Sequence, residues 1–447
     1  GIYEKSVYPL SQSGSIGMAF MAGATGQNLT ESQFGIASVK FRWNLSGSFQ
    51  QAIPRYISTD NQGKDEREFL NDFFPDLKTL TKAIFLKGYQ WPFDPRKIDF
   101  YGSSLIDLLV HREINDKGRS VFIDFTRNPS WLNGESFDPG DLDPEVENFL
   151  KKSDALRSTP LERLYSINSP AIALYKEHGI DLGKELLEVA VCAQHNNGGL
   201  KANIWWESDL KHLFPVGEVN GSHGVYRPGG AALNSGQTGS LRAAQYISKR
   251  YNNLPMEDRE FLSEIKNVTE NKLILAARWM ESGNSAGNKK YLSEIRKRMT
   301  ESGGIIRDKT KVEDATAEAA DLLSWLPEKI GADSVTELAD TFLLMDHCIA
   351  HYIYLSAIKA YIEKGGRSRG SYIIADYGKH GEAITAESVK KPELCKWDRD
   401  VEHKILEVGL KAGTVIISLT VVRVVPEQDL WFEKVWKEYI EDNWFDC

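Results

Sequence analysis

Cysteine is scarce and scattered in this chain: Cys192, Cys348, Cys395 and Cys447 are the only four, and no C-x-x-C occurs. That argues against a disulfide framework or a cysteine zinc site and fits a reducing, cytoplasmic compartment. No run of about 18 apolar residues is present, so no membrane span is expected. Basic residues are not in excess either. The formal charge of −9 disfavours a nucleic-acid or polyanion surface. The chain opens at Gly1 without Met and without a signal-peptide pattern, which reads as a processed or excised boundary. A further absence is the G-x-G-x-x-G turn that holds the phosphates in dinucleotide folds. What is left is globular, with 41% hydrophobic and 26% charged residues. This length allows about two to four domains.

The densest chemistry lies in residues 192–246. Gly198-Gly199, Gly217-Glu218 and Gly229-Gly230 form three glycine-rich turns. Between them Leu200–Trp206 and Leu213–Val219 read as short β runs, and a helical run begins near Ser240. Glycine serves where a backbone must approach a ligand closely or take positive φ. Glu218, at the end of the second β run, is suited to accept hydrogen bonds from a ribose hydroxyl. The helix start after Gly236–Gly239 offers free N–H groups and a positive dipole end. His195 and Arg227 flank the glycines and could hold a carboxylate, Arg in bidentate fashion. The same residue types also describe a glycine-rich strand–turn–helix with no ligand.

The order H-x-x-G-G-L, then Leu213-Phe214, then G-E-V-x-G-x-H-G-x-x-R-x-G-G-x-x-L resembles the flavoprotein subunit of fumarate reductase and succinate dehydrogenase. Aspartate oxidase and adenylylsulfate reductase share the pattern. The resemblance implies an FAD-dependent oxidoreductase. Glu218 would grip the FAD ribose, Gly198, Gly199, Gly217, Gly229 and Gly230 would shape its groove, and Ala232 and Leu233 would run along the flavin. His195 and Arg227 would face a small anionic substrate. The implied fold is α/β: part of an FAD-binding domain over 1–60, an inserted α+β capping domain over 61–185, and a return to the FAD domain over 186–250. A helical bundle over 251–400 and a strand with an aromatic helix over 401–447 follow. An electron-transfer partner, or a separate N-terminal FAD-binding half bearing the missing turn, is implied with it.

The chain departs from that family where the chemistry is done. Ser13–Ala24 is similar to the family's TGDGxxMAxxAGA, with Gly14 at the Asp. Gln33-Phe34 is followed by Gly35-Ile36-Ala37, where the family has His-Pro-Thr. The capping helix aligns as Leu105-Ile106-Asp107, so Ile106 stands at the family's proton-donating Arg. Arg112 lies further along the helix and reads as a surface contact, and Asp124 as structural. A positioned proton donor supplies about 10²–10⁴-fold in rate, so ordinary fumarate or succinate chemistry is not expected. A non-catalytic scaffold that keeps the fold is the alternative.

The remaining motifs carry less. His347 and His351 are spaced i, i+4, but no third ligand is in view, and core histidines are expected. Arg307, Arg367 and Arg369 read as structural ion-pair donors. G-x-S-x-G occurs twice, around Ser285 and Ser368, each after a helical run rather than a strand, which disfavours a serine hydrolase. Residues 415–425 predict a buried strand. Trp431, Phe432, Trp436 and Tyr439 predict a helix whose aromatic stripe packs into the core.

Overall fold

A computed structural model of the chain describes residues 1–7, 15–131, 134, 137–375, 401, 403–424, 431–441 and 443. The first elements are α1 (Ile16–Met21), β1 (Gly26–Gln27), β2 (Ser32–Ser38), β3 (Trp43–Asn44), α2 (Ser48–Gln51) and β4 (Arg55–Thr59). Then come α3 (Leu77–Lys87), α4 (Ser104–Asn115), β5 (Ser120–Asp124), α5 (Pro144–Lys152) and α6 (Pro160–Glu177). β6 (Leu187–Asn196) and β7 (Gly199–Leu200) lead to α7 (Ala231–Arg250). The helical part is α8 (Asp258–Ser282), α9 (Ser285–Gly303), β8 (Ile306–Asp308), α10 (Lys309–Trp325), α11 (Val335–Glu363) and β9 (Ile373–Ala375). β10 (Lys404–Lys411), β11 (Thr414–Val421) and α12 (Trp431–Ile440) follow. The fold is mixed α/β.

Local chemistry sets several boundaries. Asp76 accepts from the Thr79 N–H at the start of α3, and Ser334 accepts from Glu337 at the start of α11. Thr159 and Glu162 form a reciprocal capping box, with Pro160 in the first turn of α6. The largest sheet runs β3-β2-β6-β5-β4, all antiparallel. It draws strands from both sides of the domain boundaries expected near residues 60 and 185. Every residue of β2 is buried, because the strand is covered on both faces. A second sheet runs β11-β10-β1-β7, and β8 and β9 form a parallel pair.

By length and hydropathy α11 could cross a membrane, yet 78% of its most apolar stretch is buried inside the protein. It is the core helix of the helical layer. His347 and His351 are buried on it, and no cluster of three metal-ligating side chains occurs among the described residues. Burial beside Arg298 pushes His351 down to about 3. Asp346 on the same helix accepts from the Met18 N–H of α1 at 3.0 Å. Burial pushes its carboxyl up to about 6.

One buried ion pair joins the layers. Arg369 donates to Glu31 Oε1 through Nε (2.9 Å) and Nη2 (2.7 Å). The hydroxyls of Thr30 (2.8 Å) and Tyr372 (3.2 Å) donate to the same oxygen. Arg307 donates to the Thr30 carbonyl at 2.8 Å and stacks on the Tyr372 ring at 3.7 Å. Arg307 and Arg369 are thus structural. Ser368 accepts from the Ile374 N–H and follows α11 rather than a strand, unlike a nucleophile elbow.

Five expectations are corrected. The stretch Leu200–Trp206 contributes only Leu200 to a strand, and Leu213–Val219 ends in a 3-10 turn over Gly217–Val219. α7 begins at Ala231, not near Ser240, because Gly230 takes left-handed φ (76°) and turns the chain into the helix nine residues earlier. β11 is exposed along the side that carries Ile416, which no element among the described residues covers, and Val421 at its end is also open to solvent. Phe432, Trp436 and Tyr439 of α12 stack on one another and are exposed, not in the core. Gly14, Cys395, Cys447 and the Trp431 side chain lie outside the described residues.

Removing one partner of the buried pair leaves an uncompensated charge. Glu31→Ala is expected to cost about 3–5 kcal/mol, read as a lower denaturant midpoint. Asp346 gives a pH signature. Its folded pKa lies above the unfolded value, so the folded state holds more protons between roughly pH 4 and 6 and stability falls as pH rises through that window. Asp346→Asn keeps an acceptor for Met18, and should gain stability over the parent at pH 7.5 but not at pH 4. Unfolding midpoints at the two pH values check it.

Candidate functional site

The site is built on the β2–β6 pairing. Gln33 pairs with His195 and Phe34 with Ala193, so Gln194 is an extra residue, a β-bulge on β6. A bulge re-aims the neighbouring side chain. Here His195, 7% exposed, faces the loop of residues 215–230. That loop is pinned by three amides. Asn28 donates to the Gly221 carbonyl (3.0 Å), Asn197 to the Val225 carbonyl (3.2 Å), and Asn220 to the Pro215 carbonyl (3.2 Å).

His195 Nδ1 lies 3.2 Å from Glu218 Oε1, and its Nε2 lies 2.9 Å from His223 Nδ1. Arg227 Nη2 donates to Gln33 Oε1 at 2.6 Å. The His195 imidazole beside Glu218 holds that carboxyl below its usual range. Burial, with His195 and Arg227 nearby, pushes His223 down to about 4. Burial also lowers Arg227. His223 Nε2 and Arg227 Nε are buried with no hydrogen-bond partner among the described residues.

His195, Arg227 and Glu218 therefore come together. His223, which the sequence reading left unassigned, joins them; its only signal was the H-G within the long motif. The glycines divide into two groups. Gly198 and Gly199 meet the protein's own backbone: an added Cβ would lie 2.0 Å from the Asn28 carbonyl oxygen and 2.1 Å from that of Val219. At Gly217, Gly229 and Gly230 no atom of the described residues lies within 4 Å of such a Cβ, so these three border open space. Ala232 is buried at the start of α7, and Leu233 is exposed beside it.

The capping segment presents different groups from those sought in the sequence. Ile106 is fully buried on α4, and Asp107 beside it is ion-paired with Lys87 in the core. Arg112 lies over the Phe73 ring, and Asp124 binds Arg55 and Arg127. Gly35 is covered by Trp91, whose Nε1 is 2.3 Å from where a Cβ would be. Arg96 stacks on Tyr226 at 3.8 Å, next in sequence to Arg227, and is held by Asp94. It was missed, although Asp94-Pro95-Arg96 offered a Pro-Arg pair ten residues before Ile106.

No family model matches the chain. The fumarate reductase (CoM/CoB) of Methanothermobacter marburgensis has a component that is 31% identical over 167 residues, 36% of this chain and 27% of that protein. An uncharacterized FAD-dependent oxidoreductase from Methanocaldococcus jannaschii is 36% identical over 98 residues, 20% of this chain and 18% of that protein. A solved quinol–fumarate reductase chain superposes with a TM-score of 0.63 at 16% identity, covering 96% of this chain and 65% of that one. The matches thus span about a quarter or less of the curated relatives and under two thirds of the solved chain. Over those parts this chain is similar to flavoproteins of the fumarate reductase and succinate dehydrogenase superfamily, with aspartate oxidase and adenylylsulfate reductase among the neighbours.

Proposed function

We propose that this chain is the substrate-facing part of an FAD-dependent oxidoreductase that acts on a small anionic substrate other than fumarate or succinate. The observation that carries the reading is Arg227 beside His195 and Glu218, under glycine turns that border open space. An open cradle at Gly217, Gly229 and Gly230 fits a flat ring system. The unpartnered Nε of Arg227 fits an anion.

When bound, FAD supplies hydride chemistry. Glu218, Ala232, Leu233 and the amides after Gly230 would hold it. The phosphates would be held by a G-x-G-x-x-G segment outside these 447 residues, on the same chain or on a partner half. Arg227 binds the substrate carboxylate, and Gln33 fixes the guanidinium plane. His195 holds Glu218 and His223 in place through its two ring nitrogens. Trp91 over Gly35 closes the side where the family's His-Pro-Thr would stand, which favours a substrate with a different second end. A non-catalytic scaffold is the second reading, favoured by Ile106 and Gly35 in the place of reactive side chains.

Mixed with a G-x-G-x-x-G half, or expressed with it, the chain should take up FAD and turn yellow. Arg227→Gln should then weaken small carboxylates about 10–100-fold, the loss of a charged hydrogen bond worth about 1.5–3 kcal/mol. Titration of the flavin spectrum with carboxylates measures it. Equal binding to both proteins would sink the assigned role of Arg227. A yellow protein whose reduced flavin no carboxylate or sulfur acceptor reoxidises would favour the scaffold.

A further inference from the structure

The second sheet ends in an unguarded edge. β10 and β11 are joined by the two-residue turn Ala412-Gly413, both residues at positive φ (49° and 78°), as in a type I′ hairpin. Lys411 and Thr414, which flank the turn, stand opposite one another and form a hydrogen-bonded pair, so the phase of the ladder is fixed. Thr414, Ile416, Ser418 and Thr420 turn their backbone groups toward β10. The Val422 N–H, which donates to the His403 carbonyl at 3.0 Å, keeps that phase. Val415, Ile417, Leu419 and Val421 therefore turn their N–H and C=O groups outward, where no strand among the described residues meets them.

Strand edges are usually blunted by a charge, a proline or a bulge. β11 has none of these: Thr414–Val421 contains no charged residue and no proline, and it pairs with β10 without a register shift. Val415, Ile417 and Leu419 pack on the core, while Ile416, Ser418 and Thr420 face away from it. A strand without charge can lie opposite a copy of itself with no like charges in contact. Its outward positions are also self-complementary. With a two-fold axis at Ser418, Val415 meets the partner's Val421 and Ile417 meets the partner's Leu419. All the outward positions of both copies then exchange hydrogen bonds. A two-fold pair closes on itself and does not propagate.

We propose that β11 pairs antiparallel with β11 of a second copy of this chain, joining the two sheets edge to edge. A stable interface covers about 800 Å² per partner, of which a strand edge supplies only part. Apolar surface adjoins it. Val422 and Val424 continue the strand and are exposed. Arg423, between them, lies close enough to Arg242 of α7 to lower it. Gln245 of α7 in turn donates to the Tyr439 hydroxyl of α12 at 3.3 Å. α12, with Phe432 and Trp436 exposed, thus lies beside the same end of the sheet. The pairing does not depend on the oxidoreductase reading, since the edge carries no residue of the candidate site.

Sedimentation velocity of the full chain at micromolar concentration should give twice the mass of one chain. Val421→Pro should return it to the mass of one chain with circular dichroism unchanged, because this N–H faces outward and serves no bond to β10. Ser418 marks the axis. In Ser418→Cys the two thiols would stand directly opposite, at a Cα separation of about 4.5 Å, within reach of a disulfide. On oxidation this variant should form a covalent dimer well in excess of the parent, and Thr420→Cys, away from the axis, should not. A parent that sediments as one chain overturns the pairing; that is the result expected if a strand of a different protein takes this edge. A dimer that survives Val421→Pro overturns it too, as does cross-linking at Thr420→Cys equal to that at Ser418→Cys. Should Val421→Pro fail to fold, the two cysteine variants decide.

Discussion

A guanidinium and a carboxylate, both shut away from water, determine where three parts of this chain meet. Ionising a carboxylate at Glu31, which is 0% exposed, is costly unless a cation and several donors surround it. Arg369, Thr30 and Tyr372 provide them. Arg369 comes from the turn after α11, so the helical layer is located by the need of one carboxylate. The backbone of Glu31 works in the other direction. Its carbonyl accepts the N–H groups of Asn197 (3.0 Å) and Gly198 (3.2 Å), which follow β6. Glu31 therefore joins the helices, β2 and the glycine turn beside His195. Shifting it would shift the site.

The site inherits its geometry from that junction. β2 and β6 are locked in register, so the bulge at Gln194 leaves His195 opposite Gln33 and within reach of the 215–230 loop. Charges are then balanced locally. Glu218 faces His195 and Arg227, and the hydrogen bond from His195, with Arg227 nearby, holds its carboxyl low. Burial, with the same neighbours, makes a proton on His223 unfavourable.

Much of this was legible in the sequence, for identifiable reasons. Helices α8 to α11 follow from apolar periodicities punctuated by Pro327 and Gly331, signals that are local. His195, Glu218 and Arg227 were legible through one long motif, and the structure brings them within contact of one another or of shared neighbours. What was not legible depended on distance in the chain. Gly198 and Gly199 resemble ligand-binding glycines, but their lack of side chains makes room for Asn28 and Val219. The burial of β11 and α12 could not be read from their patterns. An alternating strand or an aromatic helix face shows which side seeks cover, not whether cover exists.

The lost family residues are also better understood as an exchange than as a deletion. A side chain at position 35 would collide with the Trp91 indole, so Gly35 and Trp91 require each other. Trp91 belongs to the segment whose Phe93 N–H donates to the Phe34 carbonyl at 2.8 Å, which stitches the cap to the edge of the site. Ser371 donates to the Phe93 carbonyl at 2.8 Å and holds the same segment to the turn that carries Arg369. A cap held in this way cannot bring a distant helix residue to the substrate without breaking buried hydrogen bonds, each worth about 0.5–1.5 kcal/mol net and more if a partner is stranded. Fixing the cap and burying Ile106 are thus consistent with each other: both keep the residues of α4 away from the facing wall, where His195 meets the loop of residues 215–230.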